Sequence, residues 1–321
     1  MTNLELDPAE SRVPAADHPG SVTRLLPART VPLGGVRGIT VRRTLPHREV
    51  PSVGAWCFLD HFGPDPTPMR VLPHPHTALQ TVTWPLDGEI RHRDSLGSDV
   101  LVRPGELNLM TAGTGVAHSE FSTTAGSERG TSLHGLQLWV ALPDDALGLP
   151  SSFEQLVDLP VVRTQAMAAT ILVGELAGQR SAATVHTPLL GADITVHPGS
   201  DQVLDLDPTF EHAVLLVTGD LTVDGRTVPT DNLLFHGHGR GELTLRTAGG
   251  ARLILLGGAP FEYDLVMWWN FIGRSHDDIV RDRNDWQAHH ERFGEVAGHG
   301  TDRIPAPPLP GTRLLPRRRT T

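Results

Sequence analysis

Two short segments, His74-Pro75-His76 and His118-Ser119-Glu120, place ligand-type side chains at the i, i+2 spacing of a β-strand. Residues two apart on a strand point to the same face, so each pair can grip one ion. Two such strands facing each other inside a barrel would form a cage of three imidazoles and one carboxylate. That donor set suits Fe(II), Mn, Ni, Cu or Zn rather than a soft-thiolate site. An octahedral ion held by four protein ligands keeps two positions for substrate or dioxygen. A single HxH means little in a chain with 17 histidines. The second pair, set on the run Thr111-Ala112-Gly113-Thr114-Gly115-Val116-Ala117, gives the pattern its weight. Pro104-Gly105 and Gly113-x-Gly115 are turn signals around short strands, as a small barrel needs.

The rest of the chain reads as β-structure in two units. The first, 29–143, holds the strand candidates Gly38-Ile39-Thr40-Val41, Thr81-Val82-Thr83-Trp84 and Leu136-Gln137-Leu138-Trp139-Val140, with Asp87-Gly88 as a hairpin turn. Residues 1–28 are rich in Pro, Ala, Asp and Ser and are expected to be mobile. A connector is expected over 144–167 and a second barrel over 168–260. There, Leu221-Thr222-Val223-Asp224-Gly225 after Gly219-Asp220 echoes the first unit and suggests an internal duplication. Matching Gly219 to Gly88 puts Asp205 and Asp207 where His74 and His76 stand, and no histidine falls opposite His118. His236-Gly237-His238 reads as loop histidines, so the second barrel is expected to bind no metal. Over 261–321, Ser275 with Asp277 and Asp278 starts an amphipathic helix, about 275 to 293, with Ile279, Trp286 and Phe293 at helical intervals. His289-His290 would lie on its solvated face. The run Ile304 to Pro310 cannot be helix or central strand and is expected as an extended arm.

Composition narrows the function. The 33 glycines and 27 prolines fit many short strands joined by turns. Lysine is absent, which excludes lysine Schiff-base chemistry. The single cysteine, Cys57, permits no internal disulfide. A formal net charge of -10 argues against direct nucleic-acid binding; Arg317-Arg318-Arg319 reads as a solvated tail. No leader layout and no apolar run long enough to cross a bilayer are evident, so a soluble cytoplasmic protein is expected. There is no GxSxG elbow, Walker loop or HExxH, and Gly34-Gly35-Val36-Arg37-Gly38 leads into a strand rather than the helix that phosphate binding needs. Trp84, Met110 and Phe58 are expected to wall the first barrel.

The block from His74 to Glu120, with FLDHFGP (58–64), HGLQLWVALP (134–143) and WWNFIGRSHDDI (268–279), resembles the pirin family of the cupin superfamily. The resemblance implies an all-β protein of two tandem cupin, jelly-roll-like barrels with a C-terminal helix. It implies one mononuclear metal in the N-terminal barrel, most often Fe(II), held by His74, His76, His118 and Glu120. His61 in FLDHFGP is then a supporting or packing residue. Thr77 and Gln80 depart from the family pattern, which commonly has a basic residue and a Glu there; both are expected near the pocket mouth or behind the ligands. Some pirins resemble quercetinases, which implies a flavonol-like substrate, dioxygen and a base role for Glu120. Others are regulators, which implies an iron-dependent, redox-sensing protein that binds a protein partner.

Overall fold

A computed structural model describes residues 11–13, 22–32, 39–66, 68–123 and 132–311. The Gly34–Gly38 stretch and Arg317–Arg319 lie outside these residues. Two barrels follow one another, each made of a seven-stranded and a four-stranded antiparallel sheet. The first barrel's large sheet runs, in spatial order, 152–156, 107–111, 79–87, 133–141, 56–65, 40–45 and 29–32. Its small sheet runs 70–76, 116–122, 90–94 and 99–102. The second barrel repeats the plan. Its large sheet runs 23–27, 232–236, 211–219, 251–258, 189–196, 167–173 and 161–163, and its small sheet 201–205, 242–246, 221–223 and 226–228. Gly88 and Gly219 end matching strands, both with positive φ (79° and 93°), as those turns require. The structure is therefore an all-β pair of cupin barrels.

Two expectations about segment roles need correction. Residues 1–28 are not simply mobile: Thr23–Pro27 pairs with Asn232–His236, and Ser11–Val13 pairs with Leu265–Trp268. The 144–167 segment is not a plain connector, because Ser152–Leu156 pairs with Leu107–Thr111 of the first barrel and Val161–Arg163 pairs with Met167–Val173 of the second. The strand preceding the first barrel thus closes an edge of the second, and the strand preceding the second closes the matching edge of the first. Each exchange covers backbone donors and acceptors that an open edge would expose.

Strand alternation sorts the core into layers. Ala213, Leu215, Leu233, Phe235, Ile254 and Leu256 pack with Val82, Leu109, Leu136 and Leu138 in one cluster between the barrels. Their alternates Val214, Leu216, Leu234, Leu253 and Leu255 fill the inside of the second barrel, with Leu204, Leu221, Val223, Leu243 and Leu245 from the small sheet. The first barrel differs. Across its large sheet, Asn108, Thr83, Gln137, Asp60 and Arg43 pair in one row, and all five are buried. The matching row of the second barrel is Leu234, Val214, Leu255 and Ala192. Each fully buried Leu or Val contributes about 1.5–3 kcal/mol. A polar row forgoes that gain, which is the pattern of an interior kept for function rather than stability.

The helix is shorter than expected. It spans His276–Gln287, opened by Ser275 in a capping box with Asp278. His289, at φ 56°, turns the chain out of it, and Phe293 packs against Trp286 from a separate short turn, Glu291–Phe293. His289 and His290 are exposed. The extended arm after it docks: Ile304 N donates to Pro73 O (2.8 Å), and Trp286 Nε1 donates to Ile304 O (2.9 Å). No described helix is long and apolar enough to cross a membrane.

Candidate metal centre

The strand Arg70–His76 carries Pro73 and Pro75 on either side of His74. Neither proline can donate to the ladder. The pairing with Val116–Ser122 holds His118 opposite His74 and then slips, so that Glu120 stands opposite Val71. The turn after His76 bends back at Ala78 (φ 57°), where the backbone N–H reaches Gly113 O (2.9 Å). The turn at Ala78 and the glycine-bearing turn 112–115 thereby fasten the two strands at the same end of the barrel.

His74, His76 and His118 come together, each offering a ring nitrogen within 4.8 Å of the others. All three are buried, with exposures of 0%, 0% and 1%. Their Nε2 atoms have no partner within the protein. The Nδ1 atoms are engaged. His74 Nδ1 donates to Leu72 O and His76 Nδ1 to Asn270 O, both at 3.0 Å. A carbonyl can only accept, so each ring carries its proton at Nδ1 and presents a bare Nε2 lone pair. Burial pushes His74 down to about 4, and burial followed by the neighbouring imidazoles holds His76 and His118 well below the usual histidine range. Neutral rings with convergent lone pairs fit a divalent ion.

Glu120 is buried but is not in that triad at the same distance limit. It falls in a second group of potential ligands with His118 and His92. Thr83 Oγ1 donates to Glu120 Oε1 (3.3 Å) from the polar row. His92 was not anticipated from the sequence, nor was Asp94. Their signal was present: His92-x-Asp94 repeats the same-face spacing on the strand Ile90–Asp94, which pairs His92 with Glu120 and Asp94 with His118. His92 Nε2 lies 3.1 Å from Asp94 Oδ2, and His92 Nδ1 lies 3.4 Å from His118 Nδ1. Burial alone would raise the Asp94 carboxyl, but hydrogen bonds from His92 and Ser98 outweigh it and hold the group below the usual aspartate range.

The barrel interior beside the triad mixes apolar and polar side chains. Trp139 sits edge-on to His76, with ring centres 5.2 Å apart, and stacks on Phe58 at 4.1 Å. Met110 lies in the same inward row, through Thr81. The Asn108 side-chain amide and Trp139 Nε1 are buried without a partner in the protein. Such groups are costly to leave unpaired.

Several sequence expectations change here. Trp84 does not wall the first barrel's interior: out of phase with Thr83, it points to the second barrel and donates to Asp193 (2.8 Å). Gln80 is out of phase in the same way. Its amide nitrogen donates to Thr111 Oγ1 and Thr184 O, both at 2.9 Å, so it is neither a donor to the centre nor at its mouth. Thr77 does lie just outside the triad, donating to the buried Asp282 Oδ2 (2.7 Å) and lining a cavity of about 300 Å³ against the helix with Arg274, Arg281 and Arg292. His61 ties the barrels together, between Asp231 Oδ1 (2.6 Å) and His134 Nε2 (2.7 Å). His236 is not a loop residue. It ends a strand, is buried, and meets Thr23 Oγ1 at 3.1 Å. Asp205 and Asp207 are exposed. Among the described residues, both groups of potential metal ligands lie in the first barrel.

Comparison with known proteins agrees with this geometry. The Pirin family model matches residues 38–140, and the model for the pirin C-terminal cupin domain matches 191–294. A Pseudomonas aeruginosa protein named "Putative quercetin 2,3-dioxygenase" is 44% identical over 287 residues, covering 88% of this chain and 89% of its own. A pirin-like protein of Caulobacter vibrioides is 34% identical, covering 83% and 94%. The crystal structure of a quercetin 2,3-dioxygenase from Acinetobacter baumannii superposes with a TM-score of 0.85 at 39% identity, covering 91% of this chain and 97% of that one.

Proposed function

The chain belongs to the pirin family, and from that premise we propose that it is a metal-dependent dioxygenase of the quercetin 2,3-dioxygenase type, acting on flavonol-like substrates. The observation that carries this reading is the buried imidazole triad in a barrel interior where the Asn108 and Trp139 polar atoms have no partner in the protein. The names of the relatives in Pseudomonas and Acinetobacter point the same way.

His74, His76 and His118 would hold the ion, with Glu120 as the fourth, anionic donor. A bound Fe(II), or Mn, Ni, Cu or Zn in its place, supplies Lewis-acid and, for the redox metals, one-electron chemistry toward substrate and dioxygen. The chain supplies the rest. Glu120 takes the proton of the substrate hydroxyl, and Thr83 steadies the carboxylate by its hydrogen bond. Trp139 and Phe58 hold the flat substrate and exclude water. The Asn108 amide offers a donor and an acceptor to the substrate's carbonyl and hydroxyl groups. The heterocyclic ring would be opened by dioxygen with loss of carbon monoxide.

A second reading rests on a different observation. The triad and Glu120 are at most 1% exposed, and the cavity of about 300 Å³ lies beyond Thr77, outside them. A sealed ion suits an iron-dependent redox sensor that binds a partner protein.

Metal analysis joined to oxygen uptake and carbon monoxide release over a flavonol panel separates the two. The dioxygenase reading expects turnover in the metal-loaded protein and its loss, with most of the metal, in His76→Ala. A fully loaded protein inert toward every flavonol leaves the sensor reading. Glu120→Gln that keeps metal and full turnover removes the base role from Glu120.

A further inference from the structure

We propose that His92 and Asp94 are positioning residues for the metal centre: together they fix the tautomer of His118, so that its Nε2 lone pair faces the ion. The inference rests on the triad being a metal site.

Asp94 is 1% exposed. Its Oδ1 accepts the backbone N–H groups of Leu96 and Ser98, both at 2.9 Å. Those donors cannot be reversed, so this oxygen is an acceptor. The other oxygen, Oδ2, lies 3.1 Å from His92 Nε2. An ionised carboxylate only accepts, so His92 holds a proton at Nε2. In the proposed relay His92 carries that proton alone, which leaves a lone pair on its Nδ1. That lone pair faces His118 Nδ1 at 3.4 Å. The contact is attractive only when His118 carries its own proton at Nδ1. His118 Nε2 is then bare, and it is the ring nitrogen without a partner in the protein.

The other two triad rings are fixed by backbone carbonyls, Leu72 O and Asn270 O. His118 depends on a side-chain relay instead. The relay is held in place from outside the small sheet: His92 stacks on Phe153, with centres 4.5 Å apart and planes 16° apart. Phe153 belongs to the exchanged strand Ser152–Leu156. The strand that closes the barrel edge thus also clamps the ring that orients a ligand. Partners of this kind typically change metal affinity about 10–100-fold when removed.

The discriminating variant is Asp94→Asn. Its Oδ1 stays with the two backbone donors, so the amide nitrogen takes the place of Oδ2 and points an N–H at His92 Nε2. The ring must then carry its proton at Nδ1, against the N–H of His118. Replacing the carboxylate that orients a histidine in a Ser-His-Asp triad forces the same tautomer error. Chelator competition with Co(II) should show about 10–100-fold weaker binding. In the Co(II)-loaded protein, NMR should show three shifted, solvent-exchangeable ring N–H signals, one per triad histidine, with one displaced or lost in Asp94→Asn.

Substitutions at His92 keep the test decisive if Asp94→Asn does not fold. His92→Phe keeps the stack on Phe153 and removes the acceptor. His92→Gln loses the stack and restores an acceptor. The relay predicts tighter Co(II) binding for Gln than for Phe; a purely packing role predicts the reverse and overturns the proposal. Wild-type affinity with all three signals in Asp94→Asn also overturns it, as do two Co(II) ions per chain, since the second would need the His92 lone pair. If His76→Ala also binds Co(II) normally, the metal centre itself is misplaced, and that failure is separate from failure of the relay.

Discussion

Trp84 of the first barrel donates its indole N–H to the Asp193 carboxylate of the second, 2.8 Å away, and the same carboxylate is held by Arg252 at 2.6 Å. The contact crosses the apolar layer between the two large sheets. Trp84→Phe keeps most of the apolar surface and removes the donor. The expected loss is about 1.5–3 kcal/mol, the range for a hydrogen bond to a charged group. Thermal denaturation checks it; an unchanged melting temperature would show that Arg252 alone satisfies Asp193.

Asn108 stands where the second barrel has Leu234. Asn108→Leu should keep the metal, because Asn108 belongs to neither group of potential ligands. It should leave the melting temperature equal or raised, since a buried amide without a protein partner is removed. On the dioxygenase reading, kcat/KM for a flavonol should fall at least about 10-fold, equivalent to about 1.4 kcal/mol of transition-state binding. Unchanged turnover would take Asn108 out of substrate binding.

Asp231 of the second barrel meets His61 at 2.6 Å and Arg42 at 2.9 Å on the first. Burial would raise its carboxyl, but the contacts with His61 and Arg42 outweigh that and hold it below the usual aspartate range. A carboxylate with a lowered folded value contributes stability above its unfolded value, near pH 4, and loses it as pH falls through the folded value. Asp231→Asn should therefore cost about 1–3 kcal/mol at neutral pH and flatten the acid limb of the stability profile. Asn tolerates the positive φ of 62° at this position, so backbone strain stays out of the comparison. Parallel acid limbs for variant and wild type would refute the assignment.

The sequence by itself determined the period-two features. Alternation and turn residues yield an all-β chain in two similar units, and the HxH and HxE pairs each on one strand face. His74, His76 and His118 meet as that reading expects, because same-face spacing on a strand is local geometry. Ser275 and the acids after it likewise locate the helix start, because capping is local. Pairing across the chain was decided only by the tertiary structure. Alternation says that Thr83 and Trp84 face opposite ways, but not which way is inward; packing of the two large sheets sends Trp84 and Gln80 outward. The edge-strand exchange joins residues far apart in sequence, with 23–27 beside 232–236 and 152–156 beside 107–111. No short-range signal records it, because it follows from closing the edges of two barrels at once. His92 and Asp94 fall between these cases. Their same-face spacing is written in the sequence, but their place behind His118 depends on which strand becomes the neighbour of Val116–Ser122.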